Sequence, residues 1–174
     1  MEKKKKRSGA AAAGIALLLL LLLLPALSAC GVSGSRAEEM VAAYAEEAIV
    51  VSGLLEEEFI VTPGELAALE WTSVPTSAVR ADGRQESRKA TGPLLNTFLA
   101  QYGYQQTDFS RVRFVAADGY TVTLAKSLAE RDIILTLGYG SDPLPESEAP
   151  LRVITPGLEA NQWIYMVNRM EFIK

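Results

Sequence analysis

Hydrophobic positions divide the chain into stretches of different period. Gly9 to Ala29 carries no charge and includes eight consecutive leucines, Leu17 to Leu24. From Arg36 to Ala48 the apolar residues Met40, Val41, Tyr44 and Ala48 recur near helical spacing, which predicts a helix or helical stalk. Ile49 to Val51 and Phe59 to Val61 read as short strands separated by a turn at Ser52-Gly53. Thr62-Pro-Gly-Glu65 is a helix start: Thr62 can cap, Pro63 fits the first helical position, and Glu65 can reach back to the cap. The helix so opened covers Glu65 to Glu70.

Trp71 to Val79 has strand character, and Asp82-Gly83 suits a tight turn returning through Arg84 to Ala90. Pro93 to Tyr102 predicts an amphipathic helix with Leu94, Leu95, Phe98, Leu99 and Tyr102 on one face, closed by Gly103. Strands follow at Val112 to Val115 and Tyr120 to Leu124, joined through Asp118-Gly119, then at Ile133 to Gly138, Leu151 to Ile154 and Trp163 to Ile173. Pro143, Pro145, Pro150 and Pro156 interrupt the chain between them. Strands outnumber short helices, so the expected class is α+β, mixed and mostly β.

The basic start Met1 to Arg7, the apolar run and the small residues at its end form the pattern of an export signal. The run is also long enough to span a bilayer core of ~30 Å as an uncleaved helix. Leu27-Ser-Ala-Cys30 resembles a lipobox, the site where bacterial lipoprotein precursors are lipidated on cysteine and cut ahead of it. The expected organisation is a signal peptide over 1–29, a lipidated Cys30 with tether and stalk over 30–48, and a folded domain over 49–174. The expected place is the extracytoplasmic face of the cell membrane, held through lipid on Cys30.

Removing residues 1–29 takes away five basic residues and Glu2, turning 17 basic and 21 acidic residues into 12 and 20. An acidic domain repels the phosphates of nucleic acid, which excludes that partner class. Cys30 is the only cysteine and histidine is absent. No intramolecular disulfide can form, and zinc or haem sites built from Cys or His within the chain are disfavoured. No nucleophile has a visible base partner, so no catalytic residue is expected.

Four stretches, in order, resemble the molybdopterin-binding domain of sulfite oxidases and related methionine-sulfoxide reductases. They are Val51-Ser-Gly53 with Phe59 to Thr62 and the Glu65-Leu66 helix; Thr91-Gly-Pro-Leu94 with the helix to Tyr102; Val115-Ala-Ala-Asp-Gly-Tyr120; and Ala149-Pro-Leu-Arg-Val-Ile-Thr-Pro156 with the Trp163 and Val167 to Phe172 segments. The resemblance implies a sulfite-oxidase-type fold around a pterin cleft, with molybdenum held by a cysteine in the region that corresponds to Trp71 to Ala81. No cysteine stands there. The asparagine that the family places five residues before Arg152 corresponds to Ser147, the next glycine to Glu148, and a phosphate-contacting lysine to Tyr165. The resemblance therefore implies a non-catalytic binding domain without metal, and molybdopterin is disfavoured. The candidate ligand-binding residues are Arg152, Asp118, Tyr120 and Tyr165, with a small anion or an envelope protein as the expected partner.

Each candidate also has a plainer reading. Asp118-Gly119 forms a turn with Tyr120 packed behind it, and Arg152 pairs with an acid such as Asp118. Arg80, Arg84, Arg88 and Lys89 form either a solvated basic face or a contact for anionic lipid or an acidic partner. Trp71, Trp163 and Tyr165 form either core or an aromatic platform. The alternatives to a binding lipoprotein are a molybdopterin oxidoreductase with Ser73 or Ser77 as metal ligand, and a structural envelope lipoprotein without small ligand.

Overall fold

The computed structural model describes residues 31–80, 82–128 and 131–174, and Gly34–Lys174 forms one compact body. The expected signal peptide over 1–29 and Cys30 lie outside the described residues. Helix α1, Gly31–Val41, opens the described chain. Ala37, Met40, Val41 and Tyr44 are buried, the i, i+3, i+4, i+7 spacing of a single helical stripe. The Tyr44 hydroxyl donates to the Leu137 carbonyl at 2.8 Å and accepts from the Leu144 amide at 3.3 Å. The segment read as a stalk is therefore docked on the core, because its apolar stripe gains more by burial than by standing in water. Its backbone is helical already at 31–35, where the sequence suggested a flexible tether.

Strands β1 (Ile49–Ser52) and β2 (Phe59–Val61) are followed by helix α2 (Pro63–Ala67). Thr62 and Glu65 form the expected capping box: Glu65 N donates to Thr62 Oγ1 at 3.2 Å and Thr62 N donates to Glu65 Oε2 at 2.8 Å. Strands β3 (Trp71–Val79) and β4 (Gln85–Pro93) form a nine-residue hairpin. Helix α3 (Leu95–Ala100) starts later than the sequence suggests, because Pro93 is still paired with Trp71 across the hairpin. Gly103 supplies the left-handed residue after it, at φ +76°.

The remaining strands are β5 (Arg111–Ala116), β6 (Thr121–Ala125), β7 (Ile134–Thr136), β8 (Gly138–Tyr139), β9 (Asp142–Pro143), β10 (Arg152–Ile154) and β11 (Val167–Ile173). A five-stranded sheet runs β2-β1-β11-β5-β6, with β1 parallel to β11 and the other pairs antiparallel. A four-stranded sheet runs β3-β4-β8-β9, and β10 pairs with β7. The architecture is mostly β with short helices, as the sequence predicts.

The run from Trp163 departs from expectation. Only Val167–Ile173 is strand; Ala160–Gln162 is a 3-10 turn, and Ile164 makes a lone bridge to Val153. Met166 interrupts the extended chain with φ +54°. A bulky residue rarely adopts that conformation, and this one is pinned by backbone bonds from Met166 N to Glu148 O and from Ala117 N to Met166 O.

The main core gathers α1, α2, α3 and the five-stranded sheet around residues such as Val51, Leu66, Phe98, Phe114 and Met170. A smaller cluster of Ala78, Ala90, Ile134, Ile154 and Trp163 lies under the β3–β4 hairpin and places it. Gly53, at φ +82°, explains one residue of the first motif: a Cβ there would sit 1.9 Å from the Phe172 carbonyl oxygen. Gly53→Ala is expected to lose about 1–3 kcal/mol from the left-handed backbone alone, with the clash added; urea unfolding measures it.

Candidate functional site

Arg152 begins the short strand β10 and is only 3% exposed. A guanidinium taken out of water must be partnered or it destabilises the fold by several kcal/mol. Its Nη1 donates to Glu148 Oε2 at 2.9 Å, to Glu86 Oε1 at 3.1 Å, and to the Tyr139 hydroxyl. Tyr139 in turn donates to Glu148. Arg152 Nε is buried without a hydrogen-bond partner among the described residues. The guanidinium also lies over the Trp163 ring, 5.7 Å from its centroid, and beside Tyr139 at 5.9 Å.

Each partner comes from a different part of the chain. Glu86 sits on β4 opposite Ala78, on the same face as Ala90, so strand alternation turns its side chain inward. Tyr139 comes from β8, and Glu148 from the turn before β10. Glu86 has further cations: Arg80 Nε donates to its Oε2 at 2.9 Å, and Arg88 Nε lies 3.5 Å from its Oε1. Burial raises the Glu86 carboxyl pKa, yet the Arg80 hydrogen bond and the charge and hydrogen bond of Arg152 outweigh it, leaving a value below the ordinary one. Burial, then the hydrogen bond to Glu148, pushes the Tyr139 phenol up, so it stays protonated at neutral pH. For Arg152 burial acts downward, while Tyr139, Glu148 and Glu86 raise the net value.

Arg152, Glu86, Arg80 and Trp163 of this cluster line a cleft of about 340 Å³, inside the range of small-molecule sites. The hairpin contributes Arg80 and Glu86, and the β5–β6 connection contributes Ala116, Asp118 and Tyr120. The segment before β11 contributes Ala160, Asn161, Trp163 and Tyr165. Thus all four candidate ligand-binding residues, Arg152, Asp118, Tyr120 and Tyr165, line one cleft.

Asp118 does form the expected turn, accepting the Tyr120 amide at 2.9 Å, but Tyr120 is half exposed rather than packed behind it. The Tyr120 hydroxyl reaches across to donate to the Asn161 carbonyl at 2.7 Å. Arg152 does not pair with Asp118, because Glu86 and Glu148 already hold it. Tyr165 is 44% exposed and directly precedes the strained Met166, whose backbone turns the chain at the cleft edge.

The aromatic platform is divided. Trp163 and Tyr165 line the cleft, whereas Trp71 packs on the main core and donates to the Ala67 carbonyl at 2.9 Å. The basic cluster is largely compensated, Arg80 and Arg88 by Glu86 and Arg84 by Asp82 at 3.8 Å. Sequence reading missed Glu86 and Tyr139 altogether. Glu86 left a faint signal, an acid in register with Ala90 on the inward face of a strand.

The donor set does not fit a molybdenum cofactor. Among the described residues the cleft offers carboxylates, phenols, an amide and guanidinium groups, without a soft sulfur ligand. Ser73 bonds Thr91 at 3.1 Å and Ser77 accepts from Gln85 at 2.7 Å, and neither lines the cleft. The cations that could meet a phosphate already face carboxylates. Among the described residues no group of three or more His, Cys, Asp or Glu is placed to hold a metal.

The family described as the oxidoreductase molybdopterin binding domain matches residues 45–174. Among solved structures, the sulfane dehydrogenase SoxCD from Paracoccus pantotrophus is similar, with a TM-score of 0.64 and 18% identity over 74% of this chain. That likeness is one of fold, and this chain spans 38% of the SoxCD chain. No curated protein matches.

Two outcomes follow from the charge cluster. Arg152→Met leaves Glu86 and Glu148 short of a buried cation and is expected to cost about 3–5 kcal/mol, read by urea unfolding. Because the folded Glu86 pKa lies below its unfolded value, its contribution to stability is complete above the ordinary carboxylate range. It is lost as pH falls through the folded value. The melting temperature should therefore decline on the acid side of that range, and Glu86→Gln should flatten the decline.

Proposed function

Since the chain belongs to the oxidoreductase molybdopterin-binding domain family, we propose that it is a lipid-anchored, extracytoplasmic member that binds a small organic ligand without metal chemistry. The observation that carries this reading is the charge-balanced cleft. Arg152 and Arg80 line the cleft beside Glu86 and Asp118, and Arg88 on Glu86 and Glu148 on Arg152 complete the pairing outside the lining, so charges of both signs are matched before any ligand arrives. Such a site favours a ligand with little net charge, because a charged one would displace an existing partner and leave it unpaired.

The walls indicate the kind of molecule. Tyr120 and Tyr165 present half-exposed rings, and Asn161 and Asp118 offer polar groups beside them. A flat, largely uncharged organic molecule gains ring contact from the tyrosines and orientation from the polar edge. Anchoring rests on the Leu27-Ser-Ala-Cys30 motif at the end of the apolar run. Lipid on Cys30 removes the only thiol in the chain from metal binding, which agrees with the donor set of the cleft. An active enzyme with a serine ligand lacks support, since Ser73 and Ser77 do not border the cleft.

Elemental analysis of the protein isolated from molybdenum-replete cells, with cofactor synthesis intact, is expected to find molybdenum far below one atom per chain. A stoichiometric value overturns the reading. In the same cells Cys30→Ala should prevent lipidation and shift the protein out of the membrane fraction; retention with an uncut amino terminus would assign anchoring to the leucine-rich segment instead.

A further inference from the structure

The β3–β4 hairpin delivers a carboxylate to a place built for an oxygen anion. Glu86 is the one acidic residue on β4, and it is buried opposite Ala78. Three guanidinium groups converge on it: Arg152 Nη1 at 3.1 Å, Arg80 Nε at 2.9 Å and Arg88 Nε at 3.5 Å. Planar guanidinium forks gathered on one acceptor are a common means of holding a carboxylate or phosphate from outside. Here the acceptor belongs to the chain itself.

Two observations mark this as more than a structural ion pair. Arg152 and Glu86 both border the cleft, so the cluster adjoins a space large enough for a ligand. Arg152 also keeps its buried Nε without a partner, leaving the fork unsaturated despite two carboxylates on its Nη1. A purely structural buried pair is expected to satisfy its donors.

We infer that Arg152, Arg80 and Arg88 form an oxyanion site whose resident occupant is Glu86, so that the hairpin acts as an internal competitor against carboxylate and phosphate ligands. Glu148 binds Arg152 from the opposite element and keeps the guanidinium in place when Glu86 is neutralised. Glu86→Gln keeps the size and shape of the side chain and removes the competing charge. The ligand class is an oxygen anion, distinct from the flat uncharged molecule proposed against Tyr120 and Tyr165; the inference rests on the same charge-matched cluster as that reading, whose absence of metal is tested separately by elemental analysis.

The test is calorimetric titration at constant ionic strength with inorganic phosphate, and separately with acetate. Three proteins are compared: the unsubstituted chain, Glu86→Gln, and Glu86→Gln combined with Arg152→Met. Glu86→Gln is expected to bind phosphate, acetate or both at least about tenfold more tightly than the unsubstituted chain, and the added Arg152→Met to abolish the gain. Gain with phosphate alone assigns a tetrahedral anion, and gain with both assigns the shared oxyanion chemistry. Absence of gain in a Glu86→Gln protein with native circular dichroism overturns the inference. Equal, Arg152-dependent binding by the unsubstituted chain also overturns it, since no competition then exists. Should Glu86→Gln fail to fold, Glu86→Ser carries the same comparison with a smaller neutral group in the seat.

Discussion

A guanidinium buried to the extent of Arg152 constrains everything built around it. Water cannot solvate it, so protein atoms must. The chain meets that demand from separated segments: Glu86 arrives on a hairpin, Tyr139 on a two-residue strand, and Glu148 from the turn leading into β10. These contacts fix the hairpin over the smaller hydrophobic cluster and set one wall of the cleft. The ionic cluster is weak evidence of net stability, because desolvation offsets much of the attraction. It bears more on geometry, since charges taken out of water need partners held within hydrogen-bond distance.

That arrangement also decides which chemistry the cleft supports. Membership of a molybdopterin-binding family makes a metal cofactor the first expectation, and the side chains around the cleft answer it. Among the described residues they supply no soft sulfur, and their cations are matched to internal carboxylates. Aromatic rings and a few polar groups remain, a composition suited to recognition by contact and hydrogen bonding. One scaffold can carry different sites, and the proposed ligand site rests on that separation of fold from chemistry. The strained backbone at Met166, beside Tyr165, lies at the edge of the same cleft and is held by Glu148 and Ala117, consistent with strain collecting at functional places.

Local rules made much of the fold legible in the sequence. The Thr62–Glu65 capping box, the nine-residue hairpin and the alternating strands depend on neighbours within a few residues, and pattern reading recovers such features. Misreadings arose where distant partners intervene. Pairing with Trp71 keeps Pro93 in a strand, and the left-handed Met166 cuts short the extended run from Trp163. The stripe on α1 was visible, but its docking against Leu137 and Leu144 was not. The site followed the same division. Motif reading named Arg152, Asp118, Tyr120 and Tyr165, which do meet in one cleft. Glu86 left only its alternation with Ala90 as a local signal; its role depends on Arg152, 66 positions away, which no local pattern reveals.

Central to this account is energetic coupling between Glu86 and Arg152, which a double-mutant cycle measures most directly. Urea unfolding of Glu86→Gln, Arg152→Met and their combination yields the interaction term free of each residue's separate contribution. Direct pairing in a buried site predicts a coupling energy of roughly 1–3 kcal/mol, with the double variant less destabilised than the two single changes together. Additivity within about 0.3–0.5 kcal/mol would mean the two groups do not sense each other, and the charge-matched cleft would have to be abandoned.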